Sequence, residues 1–213
     1  MCGELCGCEN MVAFTPYGER SRRQRRLLNS AFGVPTIPSY YPLVESSTQA
    51  FLRSLLASPH SYIPHTKVYA GSLTLSVVYG YQPSGPDDKM LNLAEECVDL
   101  LSNRIASGGG IWPVDIFPIL KNYPEWLPGG SFLTNARKWK AKMEEFVQRP
   151  YDFVVKSINS GNYAPSFCST LLQEEDPDKH TDEFLFDLKW TANSMYSASI
   201  DTVSAPITIL VSS

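Results

Sequence analysis

The sequence predicts a mainly α-helical fold, and three observations predict it. Long stretches repeat apolar residues every three or four positions, the spacing of one helix face. Proline and glycine fall mostly between those stretches. Hydrophobic residues make up 43% of the chain and charged residues 19%, which gives a core material to bury and too little charge for a disordered polymer. The 213 residues suffice for one domain, taken as 1–213. There is no internal repeat. The net charge of −4 argues against a general polyanion binder, so any basic cluster acts locally.

Five cysteines open the element-by-element reading: Cys2, Cys6, Cys8, Cys97 and Cys168. An odd count with three at one end does not resemble a secreted disulfide framework. Cys2, Cys6 and Cys8 could begin a zinc site. The nearest histidines, His60 and His65, are remote, so free thiols in a cytosolic setting are the better expectation and no metal ligand is assigned. No basic start followed by an apolar run marks a signal peptide. No stretch reaches the ~20 apolar residues of a membrane span.

Residues 19–32 read as a first helix. Residues 40–57 read as a second, with Val44, Thr48, Phe51 and Leu55 on one face and Pro59 beyond its end. The run GSLTLSVVYGY, residues 71–81, fits a strand by alternation and a buried helix by its small and apolar content. Residues 87–105 form an amphipathic helix with Met90, Ala94, Cys97, Leu101 and Ile105 on its inner face, ended by SGGG. IWPVDIFPILKNYPEWLPGG, residues 111–130, is a long ordered loop with exposed apolar character, a type of loop that often carries function. Residues 133–158 return to helix, with Trp139, Met143, Phe146 and Phe153 on a stripe and a kink expected at Pro150. QEEDPDKHTDE is an acidic solvated connector. Thr181 then caps a last long helix whose first turn carries Asp182 and Glu183, favourable at a helix N-terminus.

Two of these helices carry candidate chemistry. On the first, Arg20, Arg22, Arg23, Arg25 and Arg26 crowd into seven residues. The row Ser21, Arg25, Leu28, Phe32 marks its apolar side, so Arg25 is expected to point inward while Arg22, Arg23 and Arg26 fan outward. A buried guanidinium needs an anion, either an internal carboxylate or the carboxylate of a bound cofactor. A nucleic-acid-binding helix would present its arginines on a face with few apolar neighbours, and the LLNSAF that follows argues against that use. On the last helix, the row Leu185, Leu188, Ala192, Met195, Ser199, Thr202 grades into small residues. Small side chains admit either a flat ligand or a close helix neighbour. Asp201 and Thr202 pair an acid with a hydroxyl, which can relay protons into a dry site. Pro206 frees the carbonyl of Thr202 and is expected to bend the helix there.

Together these stretches resemble the cytochrome P450 family of haem-thiolate monooxygenases, particularly its fungal members. TPYGERSRRQRRLLNSAF, residues 15–32, is similar to that family's C helix, with its Trp-x-x-x-Arg pattern. MYSASIDTVSA, residues 195–205, is similar to its I helix, with the pattern [Ala/Gly]-Gly-x-[Asp/Glu]-Thr. VDIFPILKNYPEWLPGGSF, residues 114–132, is similar to its F–G loop, assigned here to residues 111–132. The resemblance runs over nearly the whole chain. It implies a partial P450 fold from just before the C helix into the I helix, without the N-terminal β-rich part and membrane anchor. It also implies that the C-terminal Glu-x-x-Arg pair and cysteine loop lie outside this chain, so that the haem-ligand thiolate is missing from it. Glu19-x-x-Arg22 matches that pair only by coincidence, inside the C-helix-like segment.

By the same resemblance, the parent activity is haem-dependent insertion of an oxygen atom from dioxygen into an apolar small molecule. Arg25 would hold a haem propionate, with Ser21 standing where the family has Trp. Ala198 and Ser199 would line the haem and dioxygen groove, Ser199 replacing a glycine. Asp201 and Thr202 would relay protons. The outward arginines would face an acidic electron-donor reductase. The full-length family sits at the cytoplasmic face of the endoplasmic reticulum membrane, with the F–G loop as a second membrane contact, whereas the fragment is expected to be soluble or unstable, and inactive. The other reading is a non-enzymatic, degenerate helical protein that acts by binding a partner.

Overall fold

The computed structural model describes residues 1–106, 112–173 and 181–212, with the side chains of Ala106, Asp201 and 203–212 outside that description. Within these limits the structure is helical and no strand occurs among the described residues. In chain order the helices are α1 (Glu19–Phe32), α2 (Tyr41–Ala57), α3 (Tyr62–Tyr79), α4 (Lys89–Asp99), α5 (Pro113–Ile116), α6 (Ser131–Asn159), α7 (Phe167–Leu172) and α8 (Asp182–Ser212). The SGGG stop and most of the acidic connector, residues 174–180, lie outside the described residues.

The ambiguous run at 71–81 is resolved as helix, forming the second half of α3. Its mixture of small and apolar residues suits burial on more than one side: Ala70, Leu75, Val78 and Tyr79 are all buried. Gly71 lets α4 approach, since a Cβ there would stand 2.5 Å from Leu91 Cδ2. Gly80 ends the helix at φ 65°, where its N–H reaches Ser76 O and the next N–H reaches Leu75 O. A Cβ on Gly80 would also meet the carbonyl oxygen of Ala164 at 2.7 Å.

α8 runs through the middle of the assembly and packs most extensively on α3, with α1, α4 and α6 around it. Tyr196 shows how the core is joined. Its ring lies 6.1 Å from Tyr79 of α3 in a T-shaped contact and 5.6 Å from Phe146 of α6, and its hydroxyl donates to Met90 O of α4. One side chain thus ties four helices. α2 is an outer layer. Its Val44, Thr48, Phe51, Leu55 face is half-buried against α3, where Phe51 stacks on Tyr69.

α4 confirms the expected inner face, with Met90, Ala94, Cys97 and Ile105 buried, but only to Asp99 as α-helix. Leu100–Ala106 continues as a π-helical stretch. Ile105 stays in the core, and its carbonyl accepts from Trp112 Nε1 at 3.1 Å. The loop that follows is ordered by α5 and a short turn at Pro118–Asn122. It leaves Ile116, Phe117, Ile119 and Trp126 exposed while Val114 is buried. In α6, Pro150 cannot donate to the carbonyl of Phe146. Asn193 of α8 does so instead, through Nδ2 at 3.3 Å.

Asp88 caps α4 and gathers four donors: Met90 N, Ser84 N, Ser84 Oγ and the Tyr81 hydroxyl, at 2.7 to 3.3 Å. Burial pushes its carboxyl up, but the Tyr81 hydroxyl and the backbone amides outweigh that and hold it below the ordinary carboxylate range. Burial, with the Asp88 acceptor, pushes Tyr81 up to about 12. A carboxyl depressed on folding contributes stability that is complete above its unfolded value of about 3.9 and is lost as pH falls through the folded value. Asp88→Ala should therefore cost about 1–2 kcal/mol at pH 7. The difference from wild type should shrink below about pH 4. Urea titrations at pH 7, 5 and 3.5 would show this, and a difference independent of pH would contradict it.

Candidate functional site

α1 positions its arginines by burying a face rotated from the row the apolar pattern marks, with Ser21 common to both. Ser21, Gln24 and Ala31 are buried, while Leu28 is half-buried and Phe32 is 44% exposed. Gln24 occupies the interior because its side-chain amide donates to Asn10 O at 3.1 Å. The inward face is therefore turned toward Gln24 and Ala31, by about half of the ~100° step of one residue around the helix. Arg25 is exposed, against expectation. Among the described residues, no carboxylate pairs with it.

The inward anion exists, but other arginines meet it. Asp187 of α8 is 1% exposed. Arg23 Nε donates to its Oδ2 at 2.5 Å, and Arg20 Nε lies 3.5 Å from its Oδ1. Arg23 also reaches Glu183 at 2.8 Å, and the Arg20 guanidinium covers the Phe186 ring at 4.5 Å. Arg23 therefore does not fan outward, and the internal carboxylate expected for Arg25 belongs to Arg23 and Arg20. The physical reason lies in α8. A carboxylate this deeply buried needs charge-assisted partners, and the two arginines flanking the Ser21–Gln24 row are the ones that reach it. The sequence signal was available: Asp187 interrupts the apolar run LFDLKW as Asp201 interrupts its own.

The second set of candidates lies further along α8. Ile200 is buried, Ser199 is half-buried, and Ala198 and Thr202 are exposed. The hydroxyls of this segment turn back on their own helix: Ser199 Oγ donates to Tyr196 O at 2.9 Å and Thr202 Oγ1 to Ala198 O at 2.5 Å. The side chain of Asp201 lies outside the described residues. Higher on the same row, Leu188, Ala192 and Met195 are buried, so there the small-residue pattern serves packing. Asp187 and Thr202 are ~22 Å apart along the helix at 1.5 Å per residue. No hydrogen bond or ion pair among the described residues joins Arg25 or Ser21 to Ala198, Ser199 or Thr202.

Of the five free cysteines, only Cys2 is part-exposed. Cys6, Cys8, Cys97 and Cys168 are buried. Burial pushes the thiols of Cys6 and Cys97 up to about 11 and about 12 and that of Cys168 higher still. Among the described residues, no three His, Cys, Asp or Glu side chains are grouped to hold a metal ion. No described helix is long and apolar enough to cross a membrane.

A helical assembly around one long central helix, with a basic helix docked on it through a buried carboxylate, is the arrangement on which the comparisons bear. The chain is 36% identical over 205 residues to cytochrome P450 monooxygenase claT of Ampulloclitocybe clavipes, covering 95% of this chain and 39% of that protein. It is 34% identical over 207 residues to claR of the same fungus, covering 96% and 37%. It is 30% identical over 212 residues to the multifunctional cytochrome P450 monooxygenase af510 of Aspergillus fumigatus, covering 96% and 39%. No family model and no solved structure matches. The chain belongs to the cytochrome P450 family as a partial, mainly helical segment of it, and it spans about two fifths of the length of these curated relatives.

Proposed function

We propose that this chain is the C-to-I-helix portion of a haem-dependent monooxygenase that inserts an oxygen atom from dioxygen into an apolar small molecule. The similarity to named P450 monooxygenases along 95% of the chain carries this reading. The residues fit the cofactor in part. Arg25 is exposed and unpaired among the described residues, so its guanidinium is free for a carboxylate of the haem. Ala198 and Thr202 leave one side of α8 open, on which a flat group could lie. On this reading none of the five cysteines would supply the axial thiolate, and the isolated chain would be inactive for that reason.

When bound, haem supplies the oxygen-activating redox chemistry. The chain's residues would do the rest. Arg25 would bind a propionate, with Ser21 contributing little because it is buried. Ala198 and Ser199 would shape the groove for dioxygen. Asp201 and Thr202 would hold and pass a proton there, for which the Thr202 hydroxyl would leave Ala198 O. The exposed Arg22 and Arg26 would face an acidic electron donor. Membrane contact would come through the F–G-loop-like segment, residues 111–132, or through the family's membrane anchor.

The test is the carbon-monoxide difference spectrum of the reduced, haem-supplemented protein. The 213-residue chain should lack the red-shifted thiolate band, and a chimera extended by the C-terminal segment of claT should show it. A thiolate band from the chain alone, or none from a folded chimera, would overturn the proposal. A second reading, partner binding without catalysis, draws on the exposed Val34, Leu56, Ile119 and Trp126. A folded chimera that never takes up haem would favour it.

A further inference from the structure

The N-terminal turn, which the monooxygenase reading does not use, gathers three of the five thiols. Cys8 N donates to Cys2 O and Cys6 N to Met1 O, both at 3.2 Å, which folds residues 1–8 into a tight turn. A direct backbone hydrogen bond brings the Cα atoms of Cys2 and Cys8 into the range of separation that a disulfide spans. The Cys8 thiol donates to Cys6 O at 3.7 Å, and its nearness to Cys2 lowers the Cys2 thiol from its ordinary value and raises that of Cys8. Cys2 is half-buried, whereas Cys8 is fully buried beside Cys6 and Cys97. The pair thus joins a solvent-reachable thiol to a sheltered one, the arrangement in which one sulfur meets an oxidant and the other resolves the product.

We propose that Cys2 and Cys8 are a peroxide-responsive thiol pair that closes a reversible disulfide. The Cys2 thiolate attacks one oxygen of hydrogen peroxide. The S–O bond forms, the O–O bond breaks, and hydroxide leaves with the electron pair. Cys8 gives its proton to that hydroxide, making water, and its sulfur attacks the Cys2 sulfenic acid. The S–S bond forms, the S–O bond breaks, and the departing hydroxide takes up the proton that Cys2 released on ionising, giving a second water. Two thiols are oxidised by two electrons and one peroxide is reduced to two waters. A dithiol reductant reverses the change. Cys6 is buried, its thiol pushed up to about 11, and no backbone hydrogen bond joins it to Cys2 among the described residues; Cys168 is buried in α7, its thiol pushed up further.

The experiment treats the folded chain with a small excess of hydrogen peroxide, blocks remaining thiols, and digests with a protease that cleaves after glutamate. Glu4 and Glu9 separate Cys2 from Cys6 and Cys8. The expected result is peptides 1–4 and 5–9 joined by a bond that a reductant breaks, with two of the five thiols lost. Cys8→Ser should abolish the cross-link and leave a trappable sulfenic acid on Cys2, and Cys6→Ser should retain the cross-link. Absence of the joined peptides in the wild type, their persistence in Cys8→Ser, or their loss in Cys6→Ser would overturn the proposal. Because Cys6→Ser must retain the bond, the test survives if Cys8→Ser fails to fold.

Discussion

Arg23→Ala is expected to destabilise the chain by about 3 kcal/mol, and Arg25→Ala by less than about 0.5. The two arginines are two positions apart in one basic run, and composition alone does not separate them. Arg23 supplies the 2.5 Å contact to a carboxylate that is 1% exposed, whereas Arg25 points to solvent. Without Arg23, Asp187 keeps only Arg20 as a charged partner among the described residues, and its Nε stands 3.5 Å from Oδ1 without a hydrogen bond to it. A charge left buried beside one poorly aligned partner costs more than the pair itself contributes. Asp187→Ala should cost less than Arg23→Ala, because Arg23 and Arg20 are about a quarter to a third exposed and can turn to water. Urea-denaturation midpoints of the three variants measure this directly. Equal losses for Arg23→Ala and Arg25→Ala would show that the α1–α8 contact does not depend on the Asp187 pair.

That contrast also marks how far the sequence could be read. The helices at 19–32, 41–57, 131–159 and from 182 onward were legible because periodicity and capping residues both point to them. Thr181 accepts the Phe184 N–H, as its position before an acidic first turn implied. The strand–helix ambiguity at 71–81 was real, since a helix buried on several sides loses the one-sided pattern that identifies a helix. The facing of Arg25 is not legible from the apolar pair Leu28 and Phe32, because the inner face lies toward Gln24 and Ala31. In the structure, the polar residues Gln24 and Ser21 hold that face. A buried glutamine bonded to a backbone carbonyl, or a buried aspartate clasped from another helix, depends on long-range partners that no local pattern encodes. Along the row Leu185, Leu188, Ala192, Met195, Ser199, Thr202, the buried Leu188, Ala192 and Met195 give way to half-buried Ser199 and exposed Thr202.

Asn193 was invisible for the same reason, and its effect should be among the largest of any polar side chain here. It is wholly buried in α8, and its Nδ2 donates to the Phe146 carbonyl that Pro150 cannot serve. Asn193→Ala should cost about 2 kcal/mol, since it strands a buried carbonyl in the core. The fall is limited because the Asn193 Oδ1, itself without a hydrogen-bond partner among the described residues, goes too. The decisive comparison is in a Pro150→Ala background, where residue 150 regains an N–H directed at Phe146 O along the helix. There, Asn193→Ala should cost less than about 1 kcal/mol, because the carbonyl has a second donor. A double-mutant cycle from thermal or urea melts gives the coupling as the difference between the two costs. Coupling of about 1 kcal/mol or more is the expected result. The same cost in both backgrounds would mean that Asn193 stabilises the core by packing alone, and that the carbonyl freed by Pro150 is satisfied elsewhere.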